Sequence, residues 1–87
     1  MTIRGTQCRA ARALLGWSQR DLAEAAHVGL RVLMAFENSG KLPKPVVIIA
    51  IERTLSDHGI VWTEDTDWVG VKIRRSVLDA LPPPESE

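Results

Sequence analysis

The sequence predicts a mainly α protein, a bundle of about four helices followed by a C-terminal β-hairpin. Three observations carry that reading. Apolar residues recur at helical spacing through much of residues 6–58, glycines close several of those segments, and strand-like alternation sets in after Gly59 around an acidic turn. Eighty-seven residues leave room for one hydrophobic core, and 45% hydrophobic with 25% charged residues is the composition of a chain that folds. We expect a main domain over residues 1–75, with residues 76–87 adding a short helical turn and a disordered tail.

The elements follow in order. Thr6 is placed to cap the first helix, with Cys8, Ala11, Leu14 and Leu15 on its apolar face and Gly16 as its stop. Ser18 and Asp21, three residues apart, resemble a capping box and start a second helix through Leu22, Ala23, Ala25 and Ala26. His27-Val28-Gly29 then reads as a tight turn, and a third helix covers about Leu30 to Asn38, with Leu33 and Phe36 on the core side. Pro43 and Pro45 precede a segment whose local signal is double. Val46 to Ile51 suits a buried strand, but Ile48, Ile51 and Leu55 keep helical spacing up to Gly59, where a left-handed cap belongs, so we read a fourth helix. Ile60-Val61-Trp62-Thr63 and Trp68 to Arg74 read as two strands around the turn Glu64-Asp65-Thr66-Asp67. Ser76 to Leu81 adds a helical turn before the acidic, proline-rich Pro82–Glu87.

Charge is unevenly divided although the total is zero. Residues 1–44 carry seven basic against three acidic side chains, and residues 45–87 carry four against eight. Chance can divide charges in this way; a basic binding half and an acidic scaffolding or partner-facing half is the functional reading. A single cysteine, Cys8, rules out an internal disulfide and a multi-cysteine zinc site, so it reads as a small core residue in a reducing, cytoplasmic protein. The longest apolar run, Val46 to Ile51, is far below the roughly 20 residues of a membrane span, and the N-terminus has no signal-peptide core. No phosphate loop, metal cluster or nucleophile–base pair is visible, so we expect binding rather than catalysis, without a cofactor.

The stretch Trp17-Ser18-Gln19-Arg20-Asp21-Leu22-Ala23 through Phe36-Glu37 resembles the helix-turn-helix of Cro/repressor-type (xenobiotic-response-element, XRE) regulators, which have the lambda-repressor-like fold. The likeness extends over about residues 3–75, taking in a first helix like Gln7 to Trp17 and a hairpin strand like Gly70 to Arg74. Ala23 is small where the two helices cross, and Leu22, Val28, Leu33 and Phe36 fill the crossing. The resemblance implies that Gln19, at the N-terminal turn of the second helix, meets a DNA phosphate. It also implies a partly buried ion pair between Arg12 and Glu37. Two positions depart from the family pattern: His27 stands where glycine is usual, and Gly29 where a capping serine or threonine is usual.

With Leu33 and Phe36 turned inward, Arg31, Met34, Ala35 and Asn38 face outward and Leu30 and Val32 flank them. We expect Leu30, Arg31, Met34 and Ala35 to read bases, Arg31 through guanine and the apolar side chains through thymine methyls. Gln19, Asn38, Lys41 and Lys44 are the expected phosphate contacts, although solvated lysines would look the same. Trp17 is expected in the core, His27 as a turn residue, and His58 as a cation at a helix C-terminus. Trp62, Trp68, Val69, Val71 and Ile73 are the expected dimer interface, with the apolar fourth helix as an alternative or additional dimerising surface and core packing as the alternative for the tryptophans. The implied function is a DNA-binding transcriptional regulator, a repressor or autoregulator of the kind found in phages, mobile elements and toxin–antitoxin operons. It would bind a palindromic operator as a homodimer. The alternative is a protein-interaction module that contacts another regulatory protein through the apolar third helix.

Overall fold

The computed structural model describes residues 2–82, so the expected disordered tail lies, from Pro83 onward, outside the described residues. Four helices come first: α1 (Gly5–Leu15), α2 (Gln19–Ala26), α3 (Leu30–Ser39) and α4 (Pro45–Asp57). A hairpin of β1 (Ile60–Glu64) and β2 (Val69–Ile73) follows, then a short α5 (Arg75–Ala80).

Helix α1 begins earlier than a Thr6 cap would allow. Thr6 is an exposed residue inside the helix and Arg4 is the cap position, where its backbone N–H donates to Gln7 Oε1 at 2.9 Å. The reason is tertiary. A Cβ on Gly5 would sit 2.1 Å from the Phe36 carbonyl oxygen, so α1 reaches α3 at a point where only glycine fits, and the helix starts at that contact. The rest of α1 follows the expected face, with Cys8, Ala11 and Leu15 buried and Leu14 partly so, and it ends at left-handed Gly16.

The capping box of α2 is complete. Ser18 Oγ accepts from the Asp21 N–H at 3.0 Å, and Asp21 Oδ2 accepts from the Ser18 N–H at 2.9 Å. Hydrogen bonding from Ser18 to the carboxylate, its backbone N–H foremost and then its hydroxyl, holds the exposed Asp21 carboxyl below its ordinary pKa. At the end of α2, His27 occupies the left-handed region with φ 56°, the only non-glycine among the described residues to do so. Its side chain is exposed, so the strained backbone can be relieved without loss of packing. His27→Gly is expected to raise stability by about 0.5–1 kcal/mol, read as a rise in the urea midpoint at unchanged slope.

The double signal at residues 46–51 resolves as helix. Pro45 is the first residue of α4, where its missing N–H costs nothing, and Ile48, Ile51 and Leu55 bury one helical stripe. His58 ends α4, its Nδ1 2.7 Å from the Thr54 carbonyl and its ring edge-on to Trp17 at 4.6 Å. Trp17 is partly buried against the core. Gly59, at φ 96°, then turns the chain into β1.

The antiparallel hairpin pairs Ile60 with Ile73, Trp62 with Val71 and Glu64 with Val69. Its turn starts one residue later than expected. The Asp65 carboxylate accepts from the Asp67 and Trp68 N–H groups, each at 2.8 Å, and Asp65 N–H donates to the Trp68 carbonyl at 2.9 Å, so Glu64 stays in the strand. The hairpin lies on α1, fastened by Gln7 Nε2 donating to the Gly70 carbonyl at 3.0 Å. Helix α5 starts at Arg75, one residue before the expected turn, with Val77 partly buried against the core. Phe36, Leu22, Leu33, Ile51, Leu55, Ile3 and Cys8 are the largest of the fully buried side chains around which all of this closes.

Candidate nucleic-acid interface

The candidate site is α3, and a buried polar network lies beneath it. Glu37 is 4% exposed, yet its carboxylate is fully partnered. Arg12 clamps it with both Nε (2.7 Å to Oε2) and Nη2 (2.6 Å to Oε1), Cys8 Sγ donates to Oε2 at 3.1 Å, and Gln19 Nε2 donates to Oε1 at 3.1 Å. One carboxylate from α3 therefore gathers two residues of α1 and the first residue of α2. Arg12 Nη1 also donates to the Trp17 carbonyl at 2.9 Å, closing the link between the first two helices.

The electrostatics follow from that geometry. Burial pushes the Glu37 carboxyl up, but the hydrogen bonds from Arg12, Cys8 and Gln19 and the Arg12 charge outweigh it, and its pKa lies below the ordinary glutamate value. Cys8 moves the opposite way: burial first, then its bond to Glu37 and that charge, raise it well above the ordinary thiol range. It is a neutral donor in the core rather than a nucleophile. Among the described residues no buried side-chain nitrogen or oxygen lacks a partner.

Above this network α3 turns Arg31, Val32, Met34 and Asn38 to the surface, with Ala35 half-buried. Arg31, Ala35, Lys41 and Lys44 line one shallow groove between α3 and the start of α4, together with apolar Val32 and Leu42. The remaining expected contacts are placed differently. Leu30 is partly buried against the core. Asn38 Oδ1 accepts from Arg9 Nη2 at 3.2 Å, and the same Arg9 nitrogen donates to the Glu37 carbonyl at 2.8 Å. Gln19 gives one amide hydrogen to Glu37 and keeps the other for a further acceptor.

The five hairpin residues also divide. Trp68 is 74% exposed and Val69 42%, whereas Trp62, Val71 and Ile73 pack partly buried against the core and Trp62 Nε1 donates to Ser56 Oγ at 3.0 Å. Sequence reasoning left Cys8, Gln7 and Arg9 without these polar roles. Cys8 meets the Glu37 carboxylate, Arg9 the backbone and Asn38 at the end of α3, and Gln7 the Gly70 carbonyl, all through the fold, and no spacing signals those approaches.

No metal-holding group of histidine, cysteine or acidic side chains occurs among the described residues, and no helix among them is long and apolar enough to cross a membrane. No curated protein matches the chain. The helix-turn-helix family profile of XRE type matches residues 9–56, which takes in α1 from Arg9 onward, the whole of α2 and α3, and all of α4 but its last residue. The chain is therefore a member of the XRE-type helix-turn-helix family of DNA-binding regulators.

Proposed function

We propose that the protein is a repressor that binds a palindromic operator as a homodimer, with α3 in the major groove. The observation that carries this reading is the groove beside α3, where one arginine and two lysines surround small and apolar side chains. Arg31 supplies a bidentate donor for guanine, Ala35 and Met34 supply surface for thymine methyls, and Lys41 and Lys44 supply phosphate contacts. A single helix-turn-helix covers too little DNA for high specificity, so two copies would read half-sites roughly 34–36 Å apart. Occupancy of such a site excludes polymerase.

The test is fluorescence anisotropy on the DNA upstream of the protein's own gene, against scrambled DNA, over a salt series. Sequence-dependent binding whose affinity falls log-linearly with salt is expected. Arg31→Ala is expected to weaken operator binding roughly tenfold to a hundredfold, and Lys44→Ala to reduce the salt slope by about one. Absence of binding to either DNA at low salt would overturn the reading. A second reading, docking of another regulatory protein on α3, draws on the exposure of Val32, Met34 and Leu42 on the same side. It requires Arg31→Ala to leave partner binding unchanged while Met34→Asp abolishes it.

A further inference from the structure

The outer edge of β2 is an unpaired strand, and its backbone register can be derived. Asp65 N–H bonds to the Trp68 carbonyl at one end of the hairpin, and Arg74 N–H bonds to the Gly59 carbonyl at the other. With the pairing of Thr63 to Gly70 and Val61 to Lys72, this assigns the inward backbone groups of β2 to Gly70 and Lys72. The N–H and C=O groups of Val69, Val71 and Ile73 point the other way, and among the described residues no hydrogen bond reaches them. Side chains alternate in step: Val69, Val71 and Ile73 share the core face with Ile60, while Trp68, Lys72 and Arg74 share the opposite face.

Charge along the hairpin is polarised. Its tip carries Glu64, Asp65 and Asp67, and its base carries Lys72, Arg74 and Arg75. A second hairpin laid antiparallel along β2 therefore sets acidic tip against basic base twice over.

We propose that this edge is the homodimer interface, two copies of β2 pairing antiparallel about a two-fold axis at Val71 to form a four-stranded sheet. The proposal rests on the homodimer of the preceding section and names its surface. An axis at Val71 pairs Val71 with its own copy and Val69 with the second copy's Ile73, so all six outward groups on each strand are used in six hydrogen bonds. On the solvent face it sets exposed Trp68 opposite the second copy's Arg74, a cation–π pair, and Lys72 opposite Gly70, which carries no charge. Beyond the strand ends it brings Asp67 toward the second copy's Arg75. Of the neighbouring registers, an axis at Lys72 sets Lys72 against its own copy and one at Ile73 sets Lys72 against the second copy's Arg74, while axes at Gly70 and Val69 carry Ile73 past the end of the second copy's strand. An unpaired edge of three apolar residues is otherwise the kind of strand that folded proteins cover or charge.

Sedimentation equilibrium on the full chain tests this. A dimer is expected for the natural sequence. Asp67→Arg and Arg75→Asp should each raise the dimer Kd about tenfold, because the two-fold repeats each change, and the double variant should return it to near its starting value. Val71→Pro removes an outward N–H that the hairpin itself does not use, and should abolish the dimer. Circular dichroism checks that each variant keeps its fold, and the rescue by the double variant decides the matter if Val71→Pro does not. A dimer indifferent to all of these changes overturns the interface and leaves the homodimer reading standing. A natural chain that is monomeric alone and on DNA overturns both. Loss of the dimer without loss of operator affinity supports the interface and overturns the paired half-site reading.

Discussion

Arg12→Ala is expected to destabilise the protein by about 3–5 kcal/mol. The cost arises because a carboxylate that is almost wholly enclosed loses its only cation, and two of its four hydrogen bonds, while remaining in the core. Urea unfolding at neutral pH measures it. The pH dependence gives the mechanism away. In the natural protein Glu37 has its pKa depressed on folding, so its contribution is present above the ordinary glutamate value and is lost as pH falls through the folded value. In Arg12→Ala, burial dominates and the carboxyl shifts upward, so the variant's penalty fades on acidification. The stability gap between the two proteins should therefore narrow steadily below about pH 5. A gap that is constant from pH 7 to about pH 4 would show that Arg12 acts through the packing of its carbon chain and not through charge.

The second large effect is expected at Gly5. Gly5→Ala should cost about 3 kcal/mol, at the upper end of overpacking penalties, although alanine is the better helix former. The added methyl would meet the backbone oxygen of Phe36 at 2.1 Å, and backbone on both sides leaves no rotamer through which to escape. Relief has to come from moving α1 away from α3, which also stretches the bonds on Glu37. Thr6→Ala is the matched control. Thr6 is exposed and does not cap, so its replacement should change stability by less than about 0.5 kcal/mol, whereas a true cap would lose about 1 kcal/mol.

The contrast between those neighbours shows where sequence is legible. Helix starts and stops written in local chemistry were readable: Ser18 with Asp21, Gly16, Pro45 and the alternation of β2 all declare themselves within four residues. Thr6 has the chemistry of a cap, but the start of α1 is set by an approach to Phe36, 31 positions further along the chain, and nothing local records it. The same holds for the polar network. Gln7, Cys8 and Gln19 look like an ordinary surface amide, a core thiol and a phosphate-binding side chain, and take up their buried polar roles only when Glu37 or Gly70 is brought to them. Hydrophobicity groups the five hairpin residues together, whereas the fold sorts them by face and leaves the strand's backbone, not all five side chains, at the surface.

The bond from Gln7 to Gly70 also has a meaning in time. It joins residues 63 positions apart, so the first helix acquires its final cover from a strand synthesised long after it. During translation α2 and α3 can dock on each other as soon as they leave the ribosome, but one flank of α1 stays wet until the hairpin emerges. Closure of this domain is therefore a late, chain-spanning event, and a nascent chain paused before Gly70 holds an unfinished core.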